Sequence, residues 1–89
     1  MGSATGTRWI PLVAEVEWYA GHRSFERPFA LRVGAVRLAL TVESVASVGS
    51  PVAGRAAVRI FIATDDGGRR LRITVDGEGW TSVEAEHPG

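Results

Sequence analysis

The chain has 89 residues, with ten Arg set against ten Asp and Glu, two His, and no Cys or Lys. Its length suits one domain rather than two, and a formal net charge of zero lacks the basic excess expected of a non-specific nucleic-acid binder. Without Cys there is no disulfide framework and no thiolate metal site.

Met1 to Thr7 is rich in Gly, Ser and Thr and reads, together with Arg8, as a flexible tail. It has neither the basic start nor the apolar run of a secretory signal. No stretch approaches the roughly 18 apolar residues that span a bilayer. A bacterial, cytoplasmic protein is the expectation, with one domain over residues 9–85 and a loose tail over 86–89.

From Leu12 the chain alternates with period two, the mark of a half-buried strand. Leu12, Ala14, Val16 and Trp18 take one face; Val13, Glu15, Glu17 and Tyr19 take the other. Ala20-Gly21 breaks the pattern and opens a polar loop, His22-Arg23-Ser24-Phe25-Glu26-Arg27, closed by Pro28. Phe29, Leu31 and Val33 then alternate before Gly34-Ala35, and Val36, Leu38, Leu40 and Val42 alternate after it. A two-residue hairpin loop sets Val33 opposite Val36, Leu31 opposite Leu38 and Phe29 opposite Leu40, so the large apolar residues share a face. Gly34 supplies the positive φ that a type II′ turn needs at its first central position.

Ser44 to Arg55, small residues punctuated by Gly49, Pro51 and Gly54, reads as a long connection. Val58, Ile60 and Ile62 form the next apolar row, Asp65-Asp66-Gly67-Gly68 turns the chain, and Leu71, Ile73 and Val75 return. A loop of two or four residues keeps both rows on one face and sends Arg59, Phe61, Arg70 and Arg72 outward, with Phe61 opposite Arg72 for the longer loop. Asp76-Gly77-Glu78-Gly79 leads into a last strand, Trp80 to Ala85. Trp80 and Val83 differ in parity there, which calls for a bulge at Gly79 or beyond. These segments amount to about six antiparallel strands in an all-β hairpin meander. A flat sheet would leave its apolar face wet, so the spacing predicts a strongly bent meander closing as a small SH3-like barrel or roll. An open sheet paired across a dimer is the alternative.

No nucleophile, base and oxyanion donor can be named together, so no enzyme and no catalytic residue is expected. His22 and His87 sit apart without an acidic ligand pattern, and neither a metal nor a cofactor is expected. Trp18 and Trp80 read as core or rim anchors. Two outward surfaces remain. Trp9, Tyr19, His22, Arg23, Arg27, Arg32 and Arg37 form a candidate surface for a protein partner or a second copy of the chain. Within it Arg32 faces Arg37, an unfavourable like-charge pair unless Glu15 and Glu17 lie beside it. Its plainest reading is a ladder of surface ion pairs, each worth little. Arg59, Phe61, Arg70 and Arg72 form the alternative, an exposed ring among cations of the kind that stacks single-stranded nucleic acid. The competing reading has Phe61 covered by the Ser44–Arg55 connection, filling a second small core.

Glu15-Val16-Glu17-Trp18-Tyr19-Ala20-Gly21, then Arg27-Pro28, Leu31-Arg32-Val33-Gly34, Arg37 and Val42-Glu43-Ser44-Val45 form one set of strand and turn signals. A second set runs from Phe61 through Thr64-Asp65-Asp66-Gly67 to Trp80 and Val83-Glu84-Ala85. Together, over Val13 to Ala85, they resemble a family of small uncharacterised bacterial all-β domains. Some members stand alone and some are appended to the tail of Y-family DNA polymerase-like proteins. The resemblance implies a non-enzymatic accessory or interaction module near DNA-repair machinery, and no catalytic residues. Members carry a longer aromatic-rich segment after the counterpart of Val45, where this chain has the small residues Ala46 to Arg55.

Overall fold

Period-two alternation and Gly-bearing turns do produce strands throughout the computed structural model, which describes residues 8–22, 25–48 and 58–87. The strands are β1 (Arg8–Pro11), β2 (Glu15–His22), β3 (Phe25–Val33), β4 (Val36–Val48), β5 (Val58–Asp65), β6 (Arg70–Val75) and β7 (Thr81–His87). All pairings are antiparallel, in the order β1-β7-β6-β5-β4-β3-β2. Among the described residues there is no helix long and apolar enough to cross a membrane.

Seven strands replace the expected six, because the ends of the chain pair with each other. Arg8 lies opposite His87 and Trp9 opposite Glu86; of these the spacing assigns Arg8, Glu86 and His87 to tails and Trp9 to the edge of the domain. The first half of the expected long connection is also strand: Ser44 to Val48 continue β4 and pair with β5. Residues 49–57, which hold the rest of that connection, lie outside the described residues.

The bend is as expected, but the closure is not. β1 and β2 end the strand order on opposite sides and do not pair, so the sheet stays open. Only Leu12, Val13 and Ala14 join them, which holds Pro11 and Glu15 within about 14 Å of each other. The sheet is therefore curled on itself. Its hinge is β4: residues up to Ala39 pair with β3, and Leu40 onward pairs with β5, with a bulge between Val42 and Ser44. Inside the curl, Leu31, Phe61, Leu71, Ile73, Val75, Val83 and Ala85 form the buried core, with Leu12, Ala14, Val16, Trp18, Leu40 and Val42 packed against it.

Two turns of one design set the facing of the second half. In the first, Asp65 exchanges backbone hydrogen bonds with its loop: its N–H donates to Arg69 O (2.9 Å), and Gly68 N–H donates to Asp65 O (2.9 Å). In the second, Asp76 N–H donates to Trp80 O (3.0 Å) and Gly79 N–H to Asp76 O (3.0 Å). Each Asp carboxylate accepts two further N–H groups across its own loop, Gly67 and Arg69 for Asp65, Glu78 and Trp80 for Asp76. The fourth residue is glycine at positive φ in both, +86° at Gly68 and +94° at Gly79. This is the three-residue hairpin loop, a type I turn followed by a left-handed residue that makes a G1 bulge.

A three-residue loop is odd where the sequence reading takes an even one. That single residue turns β5 over. Phe61 lies opposite Ile73, and Ile62, not Phe61, lies opposite Arg72. Phe61 and Ala63 therefore face the core at 2% and 0% exposure, and the row Val58, Ile60 and Ile62 faces outward, half-buried. In β7 the bulge expected at Gly79 is the turn itself: Val83 and Ala85 point inward, and Trp80 stands out on the loop, 73% exposed. It is not a core anchor.

The β3–β4 hairpin follows its expected register, with Val33 opposite Val36, Arg32 opposite Arg37 and Leu31 opposite Leu38, and Gly34 at φ +61°. The expected Phe29–Leu40 pair does not form, because β3–β4 pairing ends at Ala30 and Ala39. On the other side of β3, Glu17 opposes Ala30 while Trp18 opposes Pro28, which leaves Phe29 as an extra residue in a bulge. Pro28 is buried and Phe29 is turned outward, 39% exposed.

Candidate functional site

The bulge at Phe29 assembles the most distinctive surface of the molecule, on the outer face of β2, β3 and β4. The Phe29 ring meets the Tyr19 ring edge-on, with centroids 6.5 Å apart and planes at 87°. Tyr19 is 59% exposed. Arg37 reaches over Phe29 from β4, its Cζ 5.6 Å from the ring centroid. Arg27, exposed, stands directly opposite Tyr19 in the β2–β3 register.

Arg37 is also tied to Glu17. Its Nε donates to both carboxylate oxygens at 3.1 Å, and its Nη2 donates to Oε1 at 3.0 Å. The two residues belong to β2 and β4, so the pair spans β3. Ala30 lies in register between Glu17 and Ala39 and is 1% exposed, so a methyl group fills the space beneath. A larger residue at position 30 would push the pair apart. The hydrogen bond from Arg37 holds the Glu17 carboxyl below its ordinary value of 4.5, against the opposing effect of desolvation, and Glu17 in turn raises Arg37. Arg32 has its own acid, Glu15, at 4.0 Å. The facing arginines Arg32 and Arg37 are thus each matched by a glutamate, as the sequence pattern requires.

Beyond Ala30 and Ala39, β3 leaves with β2 while β4 leaves with β5. In the fork lies an open cleft of about 360 Å³, walled by Tyr19, Arg27, Pro28 and Phe29 on one side and Leu40, Thr41 and Val42 on the other. It has aromatic and aliphatic walls and one cation at its rim.

Of the seven residues expected on the partner surface, Tyr19, Arg27, Arg32 and Arg37 share this face. Trp9 does not: it lies on β1, at the far end of the strand order, with Arg72 Cζ 4.8 Å above its ring. Arg23 and the side chain of His22 lie outside the described residues. Phe29 is the member that sequence reasoning missed. Strict alternation sends it inward with Leu31, and only Pro28 beside it, a residue without an N–H for the ladder, hints at the irregularity.

The four residues of the alternative nucleic-acid surface are divided between two faces. Phe61 is buried against Trp18, ring centroids 5.6 Å apart at 67°, so it offers no exposed ring for a base to stack on. Trp18 of β2 covers it and Val45 lies beside it in the β4–β5 register, while residues 49–55 of the expected covering segment lie outside the described residues. Arg59, opposite Val75, lies on that inner side with its Cζ 5.8 Å from the Phe61 ring. Arg70 and Arg72 do point outward, but into acids: Arg72 Nη2 lies 2.7 Å from Glu84, and Arg70 lies 3.6 Å from Glu43 and 3.5 Å from Glu86. Thr64 also bonds Glu43. This face is a charge-matched ladder.

Asp65 and Asp66 belong to a turn, and Asp65 spends its carboxylate on backbone N–H groups. Among the described residues no three His, Asp or Glu gather in a way that would hold a metal ion. Comparison of the chain with protein-family models, with curated proteins and with solved structures returns no match.

Proposed function

We propose that the chain is a non-enzymatic protein-interaction module that engages its partner through the outer face of β2, β3 and β4. The observation that carries this reading is the Tyr19–Phe29 pair, two exposed aromatic rings held edge-on over an open cleft and capped by Arg37. Aromatic residues and arginine dominate the energetics of protein interfaces, the aromatics because they bring large contact area for little lost rotamer freedom, arginine through its planar fork of hydrogen-bond donors. Here both rings are already fixed, Phe29 by its bulge and by Arg37, and Arg37 by Glu17. A preorganised patch of this kind loses little entropy on binding. Unpaired backbone groups of β4 along the fork add a second mode of attachment, strand addition.

The test is capture from the source organism by the tagged full chain, compared with Tyr19→Ser and Phe29→Ser variants. Truncating a central aromatic anchor weakens an interface by roughly 2 kcal/mol or more. A partner retained by the wild type and lost by both variants, with the fold unchanged by circular dichroism, supports the reading. Equal retention by all three removes this face from the interface.

A further inference from the structure

Strand edges with no neighbouring strand among the described residues include β1, β2, β3 before Ala30, where Arg27 and Pro28 stand, and the stretch of β4 after it leaves β3. Open edges invite pairing, and proteins normally guard them with charge, proline, bulges or shortness. β1 is guarded by its four-residue length, by Arg8 and by Pro11. β2 carries Glu15 and Glu17, and its register is broken near Gly21. The stretch Ser44-Val45-Ala46-Ser47-Val48 begins just past the Val42–Ser44 bulge and pairs with β5 in unbroken register. It bears no charge and no proline, all five residues are exposed, and Val45 and Val48 are 52% and 59% exposed. Its pairing with β5 occupies one side, and among the described residues no strand pairs with the alternate N–H and C=O groups of the other.

We infer that this edge is a self-association site, where Ser44–Val48 pairs antiparallel with the same segment of a second copy. Charge chooses this occupant. A two-fold axis joins a segment to its own copy, so a segment whose charges are all of one sign gathers that sign at the seam. The same operation on β2 gathers four carboxylates at one seam. With the axis at Ala46, the β4 seam sets Ser44 against Val48 of the other copy, Val45 against Ser47, and Ala46 against Ala46, with no charge anywhere. Val45 and Ser47 lie on one face of the strand and Ser44, Ala46 and Val48 on the other, so both faces of the join match small residues to valine. The seam uses none of the residues of the Tyr19–Phe29 pair.

Sedimentation equilibrium of the full chain, from the micromolar to the millimolar range, reads the association. A mass rising toward twice that of one chain is expected. Ala46→Lys sets like charges face to face at the axis, and Ser44→Lys sets a charge against Val48 of the other copy; each is expected to weaken association about tenfold or more, with unchanged circular dichroism. Because the chain has no cysteine, Ala46→Cys gives a clean second readout that survives any loss of fold in the lysine variants. Oxidation is expected to link it into a covalent dimer, while Ser82→Cys on β7 stays monomeric. A single-chain mass at every concentration overturns the inference. So does association that both lysine variants leave untouched, or an Ala46→Cys chain that does not cross-link.

Discussion

Replacing Asp65 by Ala removes a carboxylate that is 8% exposed and accepts N–H groups from Gly67 at 2.9 Å and Arg69 at 3.0 Å. Hydrogen bonds to a charged partner contribute about 1.5–3 kcal/mol each. Taking the low end for both, since the loop around Asp65 is exposed, gives a loss of about 3 kcal/mol. Asp76 makes the same two bonds in the same turn, at 2.9 and 3.0 Å, but in the open. Water replaces it there, so Asp76→Ala should cost only about 1 kcal/mol, as for an exposed cap. The assay is equilibrium unfolding in urea, read as a midpoint shift at constant slope. For a domain of this size, 3 kcal/mol corresponds to a melting temperature lower by about 12–24 °C. Asp65→Asn keeps an oxygen acceptor and should recover most of the loss. Equal destabilisation by Asp65→Ala and Asp76→Ala would refute the reasoning, because Asp65 is buried and also faces Arg69 Nε at 3.6 Å, while Asp76 is exposed.

Phe61→Ala empties the centre of the core and strips Trp18 of its partner, and a loss of about 3–5 kcal/mol is expected in the same urea assay. A surface-sized effect would mean that Phe61 faces water. Glu17 stays ionised below the ordinary carboxylate value of 4.5 because Arg37 donates to it. With the folded pKa lowered, its contribution to stability is present above about pH 4.5 and disappears as the pH falls through the folded value. The stability difference between wild type and Glu17→Gln, measured by urea unfolding across pH, should therefore close on the acid side. A gap that widens on acidification contradicts the pairing. Arg72→Ala removes the cation above Trp9 and the partner of Glu84, and should release β1. Faster hydrogen exchange at Trp9 and Glu86, with the β5–β6 amides unchanged, is the expected result.

How far the fold was legible depended on parity. The β3–β4 hairpin was readable because Gly34-Ala35 admits one short loop and Leu31, Val33, Val36 and Leu38 agree with it. At β5 two apolar rows compete: Val58-Ile60-Ile62 is bulkier, yet Phe61-Ala63 faces inward. Side-chain size could not decide between them, whereas loop length did. The repeated Asp-x-x-Gly spacing, Asp65 to Gly68 and Asp76 to Gly79, carried that information, because an Asp capping its own loop and a left-handed Gly three residues later define a three-residue turn. The Glu–Arg matching at Arg32 and Arg37 was foreseeable from like-charge repulsion, and the structure supplies Glu15 and Glu17 as the neutralising acids. Phe29 was not legible, since its outward turn arises from a bulge that forms only when β2 and β3 pair around Pro28. Nor was the pairing of Arg8 with His87, which joins the chain's far ends and leaves no local trace.

The burial of Phe61, and with it the loss of the alternative nucleic-acid surface, rests on the β5–β6 register, and cross-strand Hα–Hα nuclear Overhauser contacts read that register directly. A contact linking Phe61 to Ile73, or Ile62 to Arg72, is the expected result. A contact between Phe61 and Arg72 would turn β5 over, bring Phe61 to the surface among the arginines, and contradict the core described above.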